Sequence, residues 1–204
     1  MHKYALFFLV TAVMGSLVLS QGASGAALPE DSLSAVVLAY FRVGEDAWPD
    51  SSIRTEQFLE HVDEISDGSY NVLKLADIVE SVKNHKTLPP RTLAITFEGA
   101  SRSALDNAIP VLLEKNIPFT LFYAASQIDG EIENTDVTWE ELKKLAGHPG
   151  VTLGLLPFSY ANLPSLSEEE ARRQINKGLQ RHREMLGTPP DLFAYPSGEY
   201  SLSV

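Results

Sequence analysis

The chain's 204 residues suffice for one sizeable core, and its 44% hydrophobic and 21% charged content is that of a folded globular domain. It has no cysteine, which excludes disulfides, thiolate nucleophiles and thiolate metal sites. A formal net charge of -11 at pH 7 argues against nucleic acid as a partner, because phosphates are repelled; the acidity then serves solubility or attracts a cationic partner such as an amino-sugar polymer.

Residues 1–26 have the pattern of a signal peptide. Lys3 gives a positive start, Tyr4 to Leu19 an apolar stretch, and Ser24-Gly25-Ala26 the small residues of a cleavage site. The apolar stretch is short for a membrane span. A secreted or periplasmic protein is expected, with a membrane as partner only where the signal stays uncleaved. Ala35 to Tyr40 then forms a continuous apolar run of strand length. Phe58, Leu59, Val62 and Ile65 recur at helical spacing up to the breaker Asp67-Gly68. Tyr70 to Leu73 reads as a short strand, and Ile78, Val79 and Val82 as a helix closed by basic residues. Thr92 to Phe97 is a strand led in by Pro89-Pro90. A helix is expected over 103–115, kinked or split by Pro110.

Phe119 to Tyr123 follows as a buried strand. Thr138 and Glu141 have capping-box spacing, so a helix starts at Trp139; Ser167 and Glu170 repeat the device for a longer helix ending near Gly187. Between them, Val151 to Gly154 is a strand, and Asp129 to Asp136 is an acidic segment expected to be a solvated loop. Leu192 to Tyr195 is the last expected strand. Strands alternating with helices imply a mainly parallel α/β sheet, either open or closed as a (β/α) barrel. In both, ligands gather at the carboxyl ends of strands, which draws attention to Glu98 and Gly99.

Three ordered segments carry a resemblance to a known family. They are the opening strand and loop Val36 to Gly44, the stretch Leu88 to Ser103 containing Thr96-Phe97-Glu98-Gly99-Ala100, and Phe193 to Tyr200 containing Tyr195-Pro196-Ser197-Gly198. Together they resemble the polysaccharide deacetylase family (the NodB homology domain, of carbohydrate esterase type) across roughly residues 35–204. The resemblance implies a distorted (β/α) barrel, expected here to be truncated at its C-terminal end because the family's last strands and a late general-acid His would follow Val204. It also implies removal of acetyl groups from N-acetylated glycans, such as an N-acetylglucosamine polymer or peptidoglycan. The family uses a divalent metal, commonly zinc, held by one Asp and two His, with a second Asp as general base.

The departures concern the chemistry directly. The family's Thr-Phe-Asp-Asp-Gly is here Thr96-Phe97-Glu98-Gly99-Ala100, so Glu98 takes the general-base position and Gly99 the metal-binding one. The two His positions fall on Leu156 and Tyr160, and a further His position on Phe41. With no metal ligand left at Gly99, Leu156 and Tyr160, no cofactor is expected. Pro196, Ser197 and Gly198 align with the family's oxyanion and substrate segment, where the backbone N–H at Ser197 would stabilise a tetrahedral intermediate.

Bland readings stand beside these. Glu98 is either a relic base or a carboxylate that accepts hydrogen bonds from Arg102 or loop amides. Tyr160, Phe41, Phe158 and Trp139 either fill space or form a platform for a sugar ring. His61, His85, His148 and His182 lack metal-site spacing and are expected to be structural, with His2 in the signal. Three functions therefore stay open: a catalytically dead deacetylase relative that retains glycan binding, an atypical active deacetylase built on Glu98, and a non-catalytic interaction protein of the envelope.

Overall fold

The computed structural model describes residues 33–131 and 135–201; the expected signal peptide lies outside them. A parallel sheet runs through the molecule, formed by β1 (Val36–Tyr40), β5 (Thr92–Glu98), β6 (Phe119–Tyr123) and β7 (Val151–Leu155), in the order β1-β5-β6-β7. The short β4 (Asn71–Val72) pairs with the start of β5, and β2 (Arg42–Val43) pairs in parallel with β3 (Ser52–Ile53) above the end of β1. Among the described residues the sheet does not close on itself. Strand β5 is buried from Thr92 to Phe97 and β6 throughout, which explains their unbroken apolar runs: both faces are covered. One face carries the main core, in which Phe97 meets Phe119 edge-on at 6.0 Å and Tyr40 meets Phe58 at 5.2 Å.

The helices are α1 (Thr55–Ser66), α2 (Leu75–Lys83), α3 (Ile109–Glu114), α4 (Ala125–Ile128), α5 (Trp139–Ala146) and α6 (Glu168–Leu186). The break expected at Pro110 takes a specific form. Proline offers no N–H and crowds the carbonyl four residues back, so the turn Ala104–Ala108 widens to a π-helical one and Ile109 N–H bonds Ala104 O before α3 begins. At Thr138 the capping box is complete. At Ser167 only half of it forms: the hydroxyl accepts from Glu170 N–H, but the Glu170 carboxylate turns to Arg173 instead.

The last expected strand shrinks to one parallel bridge between Phe193 and Leu155, held by Leu155 N–H to Leu192 O at 3.0 Å and Ala194 N–H to Leu155 O at 2.8 Å. It still brings the segment 192–198 beside the carboxyl end of β7. Gly154 makes this approach possible. A Cβ there would sit 2.4 Å from the Phe122 ring and 3.3 Å from Leu192 O.

The acidic segment after α4 is not simply solvated. Asp129 receives Arg181 of α6 through both carboxylate oxygens, at 2.7 and 2.9 Å, and Trp139 Nε1–H at 2.9 Å. Burial pushes the Asp129 carboxyl up, but hydrogen bonds from Arg181 and Trp139 outweigh it and hold it below the usual range. The helix histidines are structural as expected: His61 pairs with Tyr40 Oη at 3.0 Å and the buried His182 with Tyr123 Oη at 2.7 Å.

Candidate functional site

Strand β5 ends at Glu98, and the chain turns at once through Gly99, whose φ of +79° is a left-handed conformation that glycine adopts without steric cost. Gly99 N–H extends the ladder between β5 and β6 by donating to Phe122 O at 2.9 Å. Glu98 is thereby fixed at the carboxyl end of the sheet. Its Oε1 accepts two hydrogen bonds, from Tyr160 Oη at 2.7 Å and from Ser197 N–H at 2.8 Å. Loop amides were one expected source of donors, and Ser197 is one. Arg102 is not: its guanidinium bonds Glu141 at 2.8 Å and pairs with Asp106 at 3.2 Å, since both carboxylates stand on its own side of the loop.

Tyr160 arrives from the loop after β7, which is tied to α6. Phe158 N–H donates to Gln174 O at 3.2 Å, and Ser159 donates from its N–H and its Oγ to Gln174 Oε1, each at 2.9 Å. Tyr160 takes a φ of +58°, uncommon for a bulky residue, and its N–H closes the turn on Pro157 O at 2.9 Å. Burial, and then the hydrogen bond to Glu98, push the phenol's pKa up, so it stays a donor. Leu156, 1% exposed, packs with Phe122 and Ala124, with Tyr160, Leu192 and Ala194 against the same cluster. On the other side, Pro196 is buried and Ser197, with a φ of +55°, aims its N–H at Glu98. Gly198 N–H returns to Tyr195 O at 2.9 Å.

The fold therefore gathers Glu98, Gly99, Tyr160 and Ser197 at one strand end, with Leu156 behind them. These residues do not fit a divalent cation. Gly99, Leu156 and Tyr160, the positions that the resemblance assigns to metal ligands, offer a hydrogen, an isobutyl group and a phenol already donating to Glu98, so one carboxylate is the whole anionic donor set. Among the described residues no three His, Asp or Glu side chains converge as a metal site. The Ser197 N–H, aligned with an oxyanion donor, is spent on Glu98 in this geometry.

Beside Glu98 lies a cavity of ≈280 Å³ lined by Phe41, Arg42, Gly99, Gln127, Thr135 and Tyr160, among others. A second of ≈400 Å³ shares Arg42, Ser101, Gln127 and Thr135 with it. A larger apolar cavity of ≈460 Å³ sits at the opposite end of β5, around Val36, Ile65 and Leu93, away from these groups. Of the four aromatics considered for a sugar platform, Trp139 and Phe158 are buried in the core at 9% and 4% exposure. Sequence reasoning missed Trp48. It is 49% exposed on the β2–β3 loop and stacks at 4.9 Å on the guanidinium of Arg42, which lines the cavity. Its neighbours Pro49, Asp50 and Ser51 marked a turn, the available signal for an exposed aromatic.

A family profile identifies the family of this chain, and solved structures share its fold. The sequence profile of the polysaccharide deacetylase family matches residues 85–204, more than half of the chain. The chain belongs to the polysaccharide deacetylase family. Among solved structures it is similar to IcaB from Ammonifex degensii, at 22% identity and a TM-score of 0.75 over 85% of this chain and 78% of that one. It is similar as well to the Streptococcus pyogenes deacetylase PplD, solved in complex with acetate, at 14% identity and a TM-score of 0.72 over 84% and 76%. The deacetylase domain of BpsB from Bordetella bronchiseptica aligns at 18% identity and a TM-score of 0.69 over 86% and 84%. No curated protein matches the chain significantly.

Proposed function

We propose that this chain is a non-catalytic member of the polysaccharide deacetylase family that keeps a glycan-binding cleft and acts outside the cytoplasm. The observation that carries the reading is that Glu98 stands, among the described residues, without metal-ligating neighbours, with Gly99, Leu156 and Tyr160 around it. A general base must reach the water it deprotonates, and amide hydrolysis at neutral pH needs that water activated. Here Glu98 Oε1 is occupied by the Tyr160 phenol and the Ser197 amide, and the surrounding positions supply no ligands to activate a water. The Ser197 contact also withdraws the oxyanion donor. Glycan binding is supported by the preformed cavity and by the exposed Trp48, since an indole face suits the apolar face of a pyranose. An extracytoplasmic setting is supported by the signal-like residues 1–26.

Incubation of the purified protein with zinc or cobalt and an N-acetylglucosamine oligomer tests the catalytic part. The expected result is no acetate above the protein-free control. Acetate release that Glu98→Gln abolishes would establish instead an atypical active site built on Glu98. Retention on chitin or peptidoglycan tests the binding part; its absence would favour an envelope interaction protein without glycan affinity.

A further inference from the structure

We propose that the cavity beside Glu98 recognises a primary ammonium on an amino sugar, the deacetylated form of the glycan unit in preference to the acetylated one. The inference rests on the reading of this chain as a non-catalytic glycan binder. Its first ground is the pattern of unused hydrogen-bonding capacity. Glu98 Oε1 is saturated by two donors, while Oε2 takes no hydrogen bond among the described residues. Gln127 Oε1 and Thr135 Oγ1, from residues lining the same cavity, are buried and also lack a partner. Buried polar atoms are nearly always satisfied, so Gln127 Oε1 and Thr135 Oγ1 call for something that donates, and Glu98 Oε2 can accept beside them. Two of the three are pure acceptors and the third can accept.

An ammonium group supplies three N–H donors and a positive charge, and hydrogen bonds between ionised partners are about twice as strong as neutral ones. An acetamide supplies one N–H and demands a donor for its carbonyl. The backbone donor placed to serve that carbonyl, Ser197 N–H, is already committed to Glu98.

Charge is the second ground. Arg42 is the cation on the cavity wall, and its ion pair is with Glu45 at 3.1 Å, so it forms none with Glu98. Around it the whole chain carries -11. That field draws a polycationic amino-sugar chain and is indifferent to a neutral acetylated one. At ≈280 Å³ the cavity is at the small end for ligand sites and suits one sugar residue.

The test is calorimetric titration of the full-length protein at pH 6.5 with a glucosamine tetramer and, separately, an N-acetylglucosamine tetramer. The free-amine tetramer is expected to bind about tenfold more tightly, the effect of one charge-assisted hydrogen bond. Glu98→Gln, which keeps an acceptor for Tyr160 and Ser197, is expected to erase that preference. Gln127→Leu is expected to weaken the amine arm alone, and it carries the test if Glu98→Gln does not fold. Equal binding of the two tetramers would overturn the inference and leave the glycan-binding reading intact. Binding of neither would remove both. Tetralysine binding as tightly as the glucosamine tetramer would overturn the inference too, by reducing it to general attraction between opposite charges.

Discussion

Glu98, at the end of β5, is held in place by its neighbours. A phenol and an amide converge on one of its oxygens. Tyr160 is the decisive partner. It holds an unfavourable φ of +58° to reach Glu98, and it lies 3.9 Å from where a Cβ on Gly99 would stand. A side chain at position 99 would have room beside Tyr160 but would inherit the left-handed backbone. Phenol, glycine and carboxylate therefore form one arrangement in which each substitution suits the others. Tyr160→Phe keeps the ring and removes the donor. We expect it to lower stability by about 1 kcal/mol, seen as a lower urea midpoint at unchanged slope, without creating deacetylase activity. An unaltered midpoint would mean that the bond to Glu98 does not help hold the loop.

At the scale of elements, α6 keeps the site in shape from behind. Gln174 pins the loop that carries Tyr160, Arg181 grips Asp129, and His182 pairs with Tyr123 of β6, whose ring also meets Trp139 edge-on at 5.5 Å. His182 makes this packing sensitive to acid. Burial pushes its pKa below the ordinary 6.5, opposed by Asp191 and aided by Arg183. The unfolded chain then binds a proton more readily than the folded one, so the contribution of His182 is complete above pH 6.5 and is lost as pH falls toward the folded pKa. We expect urea midpoints to fall between pH 7.5 and 5.5, and His182→Gln, which keeps an acceptor for Tyr123 Oη, to flatten that slope. An identical slope in the variant would assign the acid sensitivity elsewhere. The carboxyls of Asp129 and Glu141, held low against burial by their hydrogen bonds, titrate only in more acid solution.

For the molecule as a whole, the central strands were legible because β5 and β6 are buried on both faces and so read as apolar runs, while their order in the sheet was not. The position of Glu98 at a strand end followed from the same runs. Contacts between distant loops were not legible. Neither Tyr160 nor Ser197 signals in sequence that it will reach Glu98, from 62 and 99 residues away, because a tertiary path through Gln174, Gly154 and the Leu155–Phe193 bridge delivers them. Arg102, four residues along the chain, was the nearer candidate by sequence and the wrong one, since Glu141 and Asp106 compete for it.

That Gly99, Leu156 and Tyr160 are poor metal ligands was legible in the sequence; that Tyr160 and Ser197 would converge on Glu98 was not. The central claim is that the cleft around Glu98 has no cation site, and equilibrium dialysis against zinc with metal analysis of the retained protein tests it most directly. The account predicts no stoichiometric zinc, and the same trace level in wild type and Glu98→Gln. One zinc per chain, lost on that substitution, would contradict it.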